Sequence, residues 1–217
     1  MTKRKKPNTK KQKSRQPVAD LTAASAATKM AAQQPTQETV AVRGMAYLRT
    51  YWWQAALMLI VPFALYWQTT GYGYVLDDQI VITDNSFTKE GWSGIDDLLL
   101  TESFTGYFGE QKELVQGNRY RPLSLITFAI EYGITGGLHP WLSHFINILL
   151  YGILGIVILR VFHLLLPDRI QTASWLSLPF LVALLYILHP IHTEAVANIK
   201  GRDEIMAMLL SLSLIHI

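Results

Sequence analysis

Most of the side chains in this sequence that could do chemistry stand in four short strings. Asp77 and Asp78 are adjacent in GYGYVLDDQIV. Neighbouring carboxylates repel unless a cation, an arginine or a proton compensates. One of the pair could act as general base toward a hydroxyl or help to hold a divalent cation; a turn or helix cap is the plainer use of Asp. Arg119 and Arg121, in RYRP, carry planar guanidinium forks suited to phosphate or to lipid headgroups. His189, His192 and Glu194 lie within HPIHTE and could bind a metal. Pro190, however, favours a helix start with His189 as its cap, in which case the three side chains need not converge. Lys200 and Arg202, in KGRDE, could meet a lipid-linked phosphate or pair locally with Asp203 and Glu204. His144 and Asn147 sit one helical turn apart, where interhelical hydrogen bonding is the common use and a cavity lining the rarer one.

Other chemistries are excluded. The chain has 217 residues and no cysteine, so disulfides, thiolate metal sites and thiol nucleophiles are absent. No G-x-x-x-x-G-K-[ST] or G-x-G-x-x-G string occurs, so a nucleotide-phosphate site is unsupported. Half of the residues are apolar, too many for disorder throughout. The net charge of +3 hides an asymmetry. Through Arg49 there are eleven basic and two acidic residues, and beyond it eight basic and fourteen acidic.

The elements that must position these groups follow from the apolar pattern. Residues 1–46 have no hydrophobic period and read as a disordered, basic, cytoplasmic tail. Binding to anionic lipid is a sharper alternative, and nucleic acid is not expected, because no aromatics interleave with the lysines. It does not read as a secretory signal, because no small-residue cleavage site follows the apolar run. Residues 48–67 form an aliphatic stretch bracketed by Tyr51, Trp52, Trp53, Tyr66 and Trp67, as expected of a first transmembrane helix that Pro62 would kink without ending. Residues 68–140 then form a long, acidic loop, which the positive-inside rule places on the outer side. Within it Arg119–Ile134 is apolar but carries Glu131, and it reads as an interfacial helix or packed lid. Further spans are expected at 141–166 and 174–188. A fourth apolar run, 205–217, is too short to cross and reads as the start of a helix in a truncated chain. The fold class is therefore an all-α, multi-pass membrane protein with its N-terminus in the cytoplasm.

Taken in order, VLDDQIVITDN, RYRPLSLITFAIEYGI and HPIHTEAVANIKGRDE resemble the TMTC-type family. These are transmembrane and tetratricopeptide-repeat (TPR) O-mannosyltransferases with bacterial relatives, in the C-type glycosyltransferase (GT-C) superfamily. The resemblance runs from about Tyr74 to Glu204 and implies a GT-C-like membrane domain. Its first outer loop carries the catalytic carboxylate, here Asp77 or Asp78. It implies a polyprenyl-phosphate sugar as donor, a protein hydroxyl as acceptor, and Arg119, Arg121 or Arg202 at the donor phosphate. His189, His192, Glu194 and Gly201 complete the matching motif, and a divalent metal is possible.

The later membrane helices and the repeats of that family do not appear in these residues. The chain therefore reads as the N-terminal part of a longer enzyme, inactive by itself. A bacterial cell membrane is the first expectation and an endoplasmic reticulum membrane the eukaryotic one. Two other classes compete: a non-catalytic membrane scaffold that anchors a partner-binding repeat region, and a transporter module. The latter calls for charges deep within spans, and only Arg160, near a helix end, approaches that.

Overall fold

The computed structural model describes residues 46–109, 120–166 and 177–214. The expected basic tail, Arg119, the connection 167–176 and the last three residues lie outside the described residues. Contacts divide the chain into residues 1–47 and 48–217, and the second unit contains nearly all of the described residues. Among the described residues every regular element is helical, as the apolar pattern requires.

Helix α1 (Trp52–Tyr66) continues through Pro62 and closes in a 3-10 turn at Trp67–Gly71. Three short helices follow, α2 (Ser86–Lys89), α3 (Ile95–Leu100) and α4 (Thr105–Phe108), and across the undescribed gap the longer α5 (Pro122–Thr135) comes next. The long helix α6 (Pro140–Leu165) is followed by α7 (Leu178–Leu188), α8 (Thr193–Ala197) and α9 (Arg202–Leu214). Helices α5 and α6 each begin on a proline, whose missing N–H is not needed in a first turn. Helix α5 ends where Gly136 takes the left-handed conformation (φ 72°) and returns its N–H to Tyr132 O at 2.8 Å.

Two apolar clusters result. In the first, α1, α7 and α9 pack on α6 through Met58, Ile148, Tyr151, Leu154, Phe180 and Ile187. Close approach depends on two glycines of α6. A Cβ on Gly152 would lie 2.9 Å from Leu59 Cδ2 and 3.1 Å from the Met58 carbonyl, and one on Gly155 would lie 2.9 Å from Ile187 Cδ1. Small residues serve helix pairs in this way because they let backbones meet. Gly152→Leu is expected to force α1 off α6 and to cost about 1–3 kcal/mol. Gly73→Ala, with nothing within 4 Å of the new atom, should leave the unfolding temperature unchanged; the pair measured by thermal unfolding checks the claim.

The second cluster changes the picture of residues 68–140. Val81, Ile82, Leu98, Leu125, Phe128, Ala129 and Ile199 bury one another. The acidic stretch is thus no open loop. Its described residues fold as a layer of short helices on α5, and α5 itself covers most of the segment expected as an interfacial helix or packed lid. Asn85 sits fully buried within it, capping α2 by accepting from Thr88 N and donating to the carbonyls of Ile80 and Ser103.

Only α6 has by itself the length and apolarity to cross a membrane among the described residues. Its 26 residues make about 39 Å at 1.5 Å per residue, against about 30 Å of hydrocarbon. The segments expected as separate spans are shorter, 15 residues in α1 and 11 in α7. Helix α7 passes the same test only together with Pro190–Ala197, across a 48° bend.

Candidate functional site

The acidic pair is divided by a backbone turn. Leu76 takes a left-handed conformation (φ 43°), unusual for a residue with a Cβ. The turn is closed by Asp78 N donating to Val75 O at 2.9 Å and Gln79 N donating to Leu76 O at 3.2 Å. Asp78 is thereby turned inward and is fully buried. Its Oδ2 accepts from Val75 N and its Oδ1 from Lys200 N, both at 2.9 Å. Asp78 therefore latches the 75–78 turn to the Ile199–Gly201 turn. Burial raises its carboxyl above the usual aspartate value, and the charge of Asp77 adds to that, against the pull of the two N–H donors.

Asp77 turns outward instead. Its side chain is 58% exposed, and Oδ2 accepts from Lys200 Nζ at 2.8 Å. Adjacent residues of the same type thus take opposite environments, one buried and one open to solvent. Because Leu76 forces this split, Leu76→Gly should keep the turn and hold or raise the unfolding temperature, glycine adopting φ > 0 freely. Leu76→Val, β-branched at positive φ, should lower stability by about 1 kcal/mol or more. Thermal unfolding of the two variants beside the parent reads the difference.

Lys200 lines a polar cavity of about 270 Å³, together with Arg121, Asp203, Glu204, Ser103 and Ser124 over a floor that includes Val81 and Leu125. Arg121 caps the start of α5 and its side chain is 61% exposed. Its NH1 donates to Asp203 Oδ2 at 2.5 Å, which joins the start of α5 to the first turn of α9. A second, apolar groove of about 570 Å³ adjoins the cavity and shares Arg121, Ser124, Asp203 and Glu204 with it. Leu123, Met206 and Leu210 supply its apolar walls.

Arg202 lies elsewhere. The sequence suggested a phosphate ligand, but the guanidinium is completely buried. It donates from Nε to Asn147 Oδ1 at 2.7 Å, from NH1 to Thr127 Oγ1 at 2.8 Å and to Glu131 Oε1, and from NH2 to the Ser143 carbonyl at 2.9 Å. It also stacks over the Phe128 ring, 4.1 Å from the centroid. A phosphate could reach it only by breaking this set. Asn147 extends the network by donating to the carbonyls of Asn198 and Ile199, both at 3.1 Å, so α5, α6 and the turn that presents Lys200 are fixed together. Sequence reasoning missed Glu131 in this part. The signal was present: a carboxylate in an apolar helix requires a buried cation.

The other motif residues do not converge. His189 caps the Pro190–His192 turn by accepting from Ile191 N at 3.2 Å, as Pro190 suggested. The His192 ring packs 4.2 Å from that of Tyr186, and Glu194 is exposed. Among the described residues no group of three His, Asp or Glu side chains could hold a metal ion. His144 is buried with its ring edge-on to Tyr72.

The fold and site together define a helical protein that holds two accessible carboxylates, Asp77 and Glu204, and two cations beside an apolar groove. Similarity to known proteins gives this class a family. Protein O-mannosyl-transferase TMTC4 of Mus musculus is 41% identical over 98 residues, 42% of this chain and 13% of that protein. Protein O-mannosyl-transferase TMTC2 of Mus musculus is 35% identical over 67% of this chain and 16% of that protein. Protein O-mannosyl-transferase Tmtc2 of Drosophila melanogaster is 33% identical over 68% of this chain and 14% of that protein. The chain belongs to the TMTC family, and it spans about one-seventh of the length of these relatives. No family model and no solved structure matches it.

Proposed function

We propose that this chain contributes the acceptor-activating and donor-phosphate-binding part of a membrane protein O-mannosyltransferase that uses a polyprenyl-phosphate sugar. The observation that carries the reading is the Asp77–Lys200 ion pair at the edge of a polar cavity that adjoins an apolar groove. The groove suits the lipid chain, Arg121 and Lys200 suit the phosphate, and the polar cavity suits the sugar.

Asp77, ionised beside Lys200, takes the proton of a serine or threonine hydroxyl. The hydroxyl oxygen attacks the anomeric carbon, the bond from that carbon to the phosphate oxygen breaks, and the lipid phosphate leaves with the electron pair. Arg121 and Lys200 neutralise the charge that develops on it. An arriving phosphate competes for Lys200 and frees the Asp77 carboxylate to accept the proton. No step needs a metal, and Arg202 acts by holding the Lys200 turn in place.

In this reading α6 crosses the membrane, α1 and the bent α7–α8 pair accompany it, and the helical layer with the site faces the lumenal side. The N-terminus is then cytoplasmic. The relatives compared are animal proteins, which gives a bacterial membrane no support and favours the endoplasmic reticulum. The test is mannosyl transfer from a polyprenyl-phosphate donor to a serine/threonine peptide by the intact protein and its Asp77→Asn variant. Equal rates would sink the assignment.

A further inference from the structure

Five carboxylates stand around this site, and four are committed. Asp77 is bound to Lys200, Asp78 to two backbone N–H groups, Asp203 to Arg121, and Glu131 to Arg202 and Ser143. The two serines of the polar cavity are engaged by the backbone of Arg121. Ser103 Oγ accepts from its N–H at 3.0 Å, and Ser124 Oγ donates to its carbonyl at 3.3 Å. Glu204 differs. It is exposed on the first turn of α9 and lines both the polar cavity and the apolar groove. Among the described residues nothing is bonded to its carboxylate.

We propose that Glu204 binds the donor's sugar ring and reads the hydroxyl next to the anomeric carbon. This rests on the functional reading above. A carboxylate accepts charge-assisted hydrogen bonds from hydroxyls, and a cavity of about 270 Å³ is just smaller than the usual ~300–1,000 Å³ of sites for drug-sized ligands, a size for one sugar ring. Its apolar floor suits the C–H face of that ring. Position selects the hydroxyl. Arg121 belongs to both spaces, so the phosphate that links lipid to sugar falls at their boundary. Glu204 belongs to both as well, so its carboxylate meets the end of the ring nearest the phosphate. The hydroxyl there is the one whose orientation distinguishes mannose from glucose.

An acid in a first turn also favours the positive helix end, a structural role at the same place. The experiment separates the two roles. Binding of sugarless polyprenyl phosphate, polyprenyl-phosphate mannose and polyprenyl-phosphate glucose is measured on the intact protein and on Glu204→Gln and Glu204→Asp. The parent should gain affinity when mannose is added to the lipid, by about tenfold or more, and less from glucose.

Glu204→Gln should bind the sugarless lipid as well as the parent or better, a negative charge near the phosphate having been removed. It should lose most of the gain from mannose and the preference over glucose. Glu204→Asp should recover part of both. An unchanged mannose gain and preference in Glu204→Gln would overturn the role of Glu204 and leave the Asp77 mechanism standing. Failure of the parent protein to bind any of the three lipids would overturn both.

Discussion

Asp77→Asn should reduce mannosyl transfer by about 10²–10⁴-fold, the usual contribution of a positioned general base, and leave the unfolding temperature almost unchanged. The second half follows from exposure. Asp77 is 58% exposed and its partner Lys200 28% exposed, and solvent-facing pairs of this kind contribute about 0–1 kcal/mol. Donor binding should persist, since Lys200 is released to the phosphate.

Asp78→Asn should behave in the opposite way. Both Asp78 oxygens accept backbone hydrogen bonds, and an asparagine side chain offers one oxygen, so one N–H is left facing an NH₂ group. A loss of about 1–3 kcal/mol follows, with activity falling only as far as the fold does. The pH dependence has a definite sign. Burial raises the Asp78 carboxyl above its ordinary value of 3.8, so the folded state holds that proton more tightly than the unfolded chain does. This contribution is fully present below the ordinary value and is lost as pH rises through the raised one. Relative to Asp78→Asn, the parent should therefore lose stability as pH rises through that window. Transfer assays and melting curves across pH, run on both variants, separate the two carboxylates. A Asp78→Asn variant that is stable but inactive would reverse the assignment of roles.

Arg202→Met should be the most destabilising single change, at about 3–5 kcal/mol, because it removes one partner of a buried ion pair. Glu131 would be left at 12% exposure with the Ser143 hydroxyl as its remaining partner from this set, and Asn147 would lose the N–H that fills its carbonyl oxygen. Arg202→Lys should rescue little, since a single ammonium cannot reach acceptors on α5 and α6 as a planar fork does. The double variant Arg202→Met with Glu131→Gln should be more stable than Arg202→Met alone, because no uncompensated charge is left. Thermal unfolding of the two single variants and the double one gives the coupling directly. Strict additivity would mean that the pair does not interact energetically as its geometry implies. Because Asn147 and Arg202 also fix the turn that presents Lys200, activity should fall together with folded protein in these variants, unlike the isolated catalytic loss at Asp77.

Much of this organisation was legible in the residues. Pro190 marks a helix start, and the His189 cap follows from its place before it. The acidic pair stood out because neighbouring carboxylates demand compensation, and the resemblance of three strings to the TMTC-type family pointed to the relatives that similarity then supplied. The layer on α5 was harder to see. Its short helices bury single residues such as Val81 and Leu98 at no sustained period, so the segment reads as a loop until its long-range contacts exist.

The residues alone were enough to mark the long apolar helices, the location of the acidic pair and the cations, and the resemblance to the family, but not the short helices at Ser86–Lys89, Ile95–Leu100 and Thr105–Phe108. Tertiary structure decided what each charged residue does. Asp77 and Asp78 are chemically identical, and only the left-handed turn at Leu76 and the reach of Lys200 from a distant turn make one accessible and the other a latch. Arg121 and Arg202 are likewise the same side chain, yet one is exposed at a cavity and the other is enclosed by Glu131, Asn147, Thr127 and Ser143. Spacing along the chain fixes which face of a helix a residue occupies. The burial and partners that set the role of a charge come from elements far apart in sequence, and those exist only once the helices have packed.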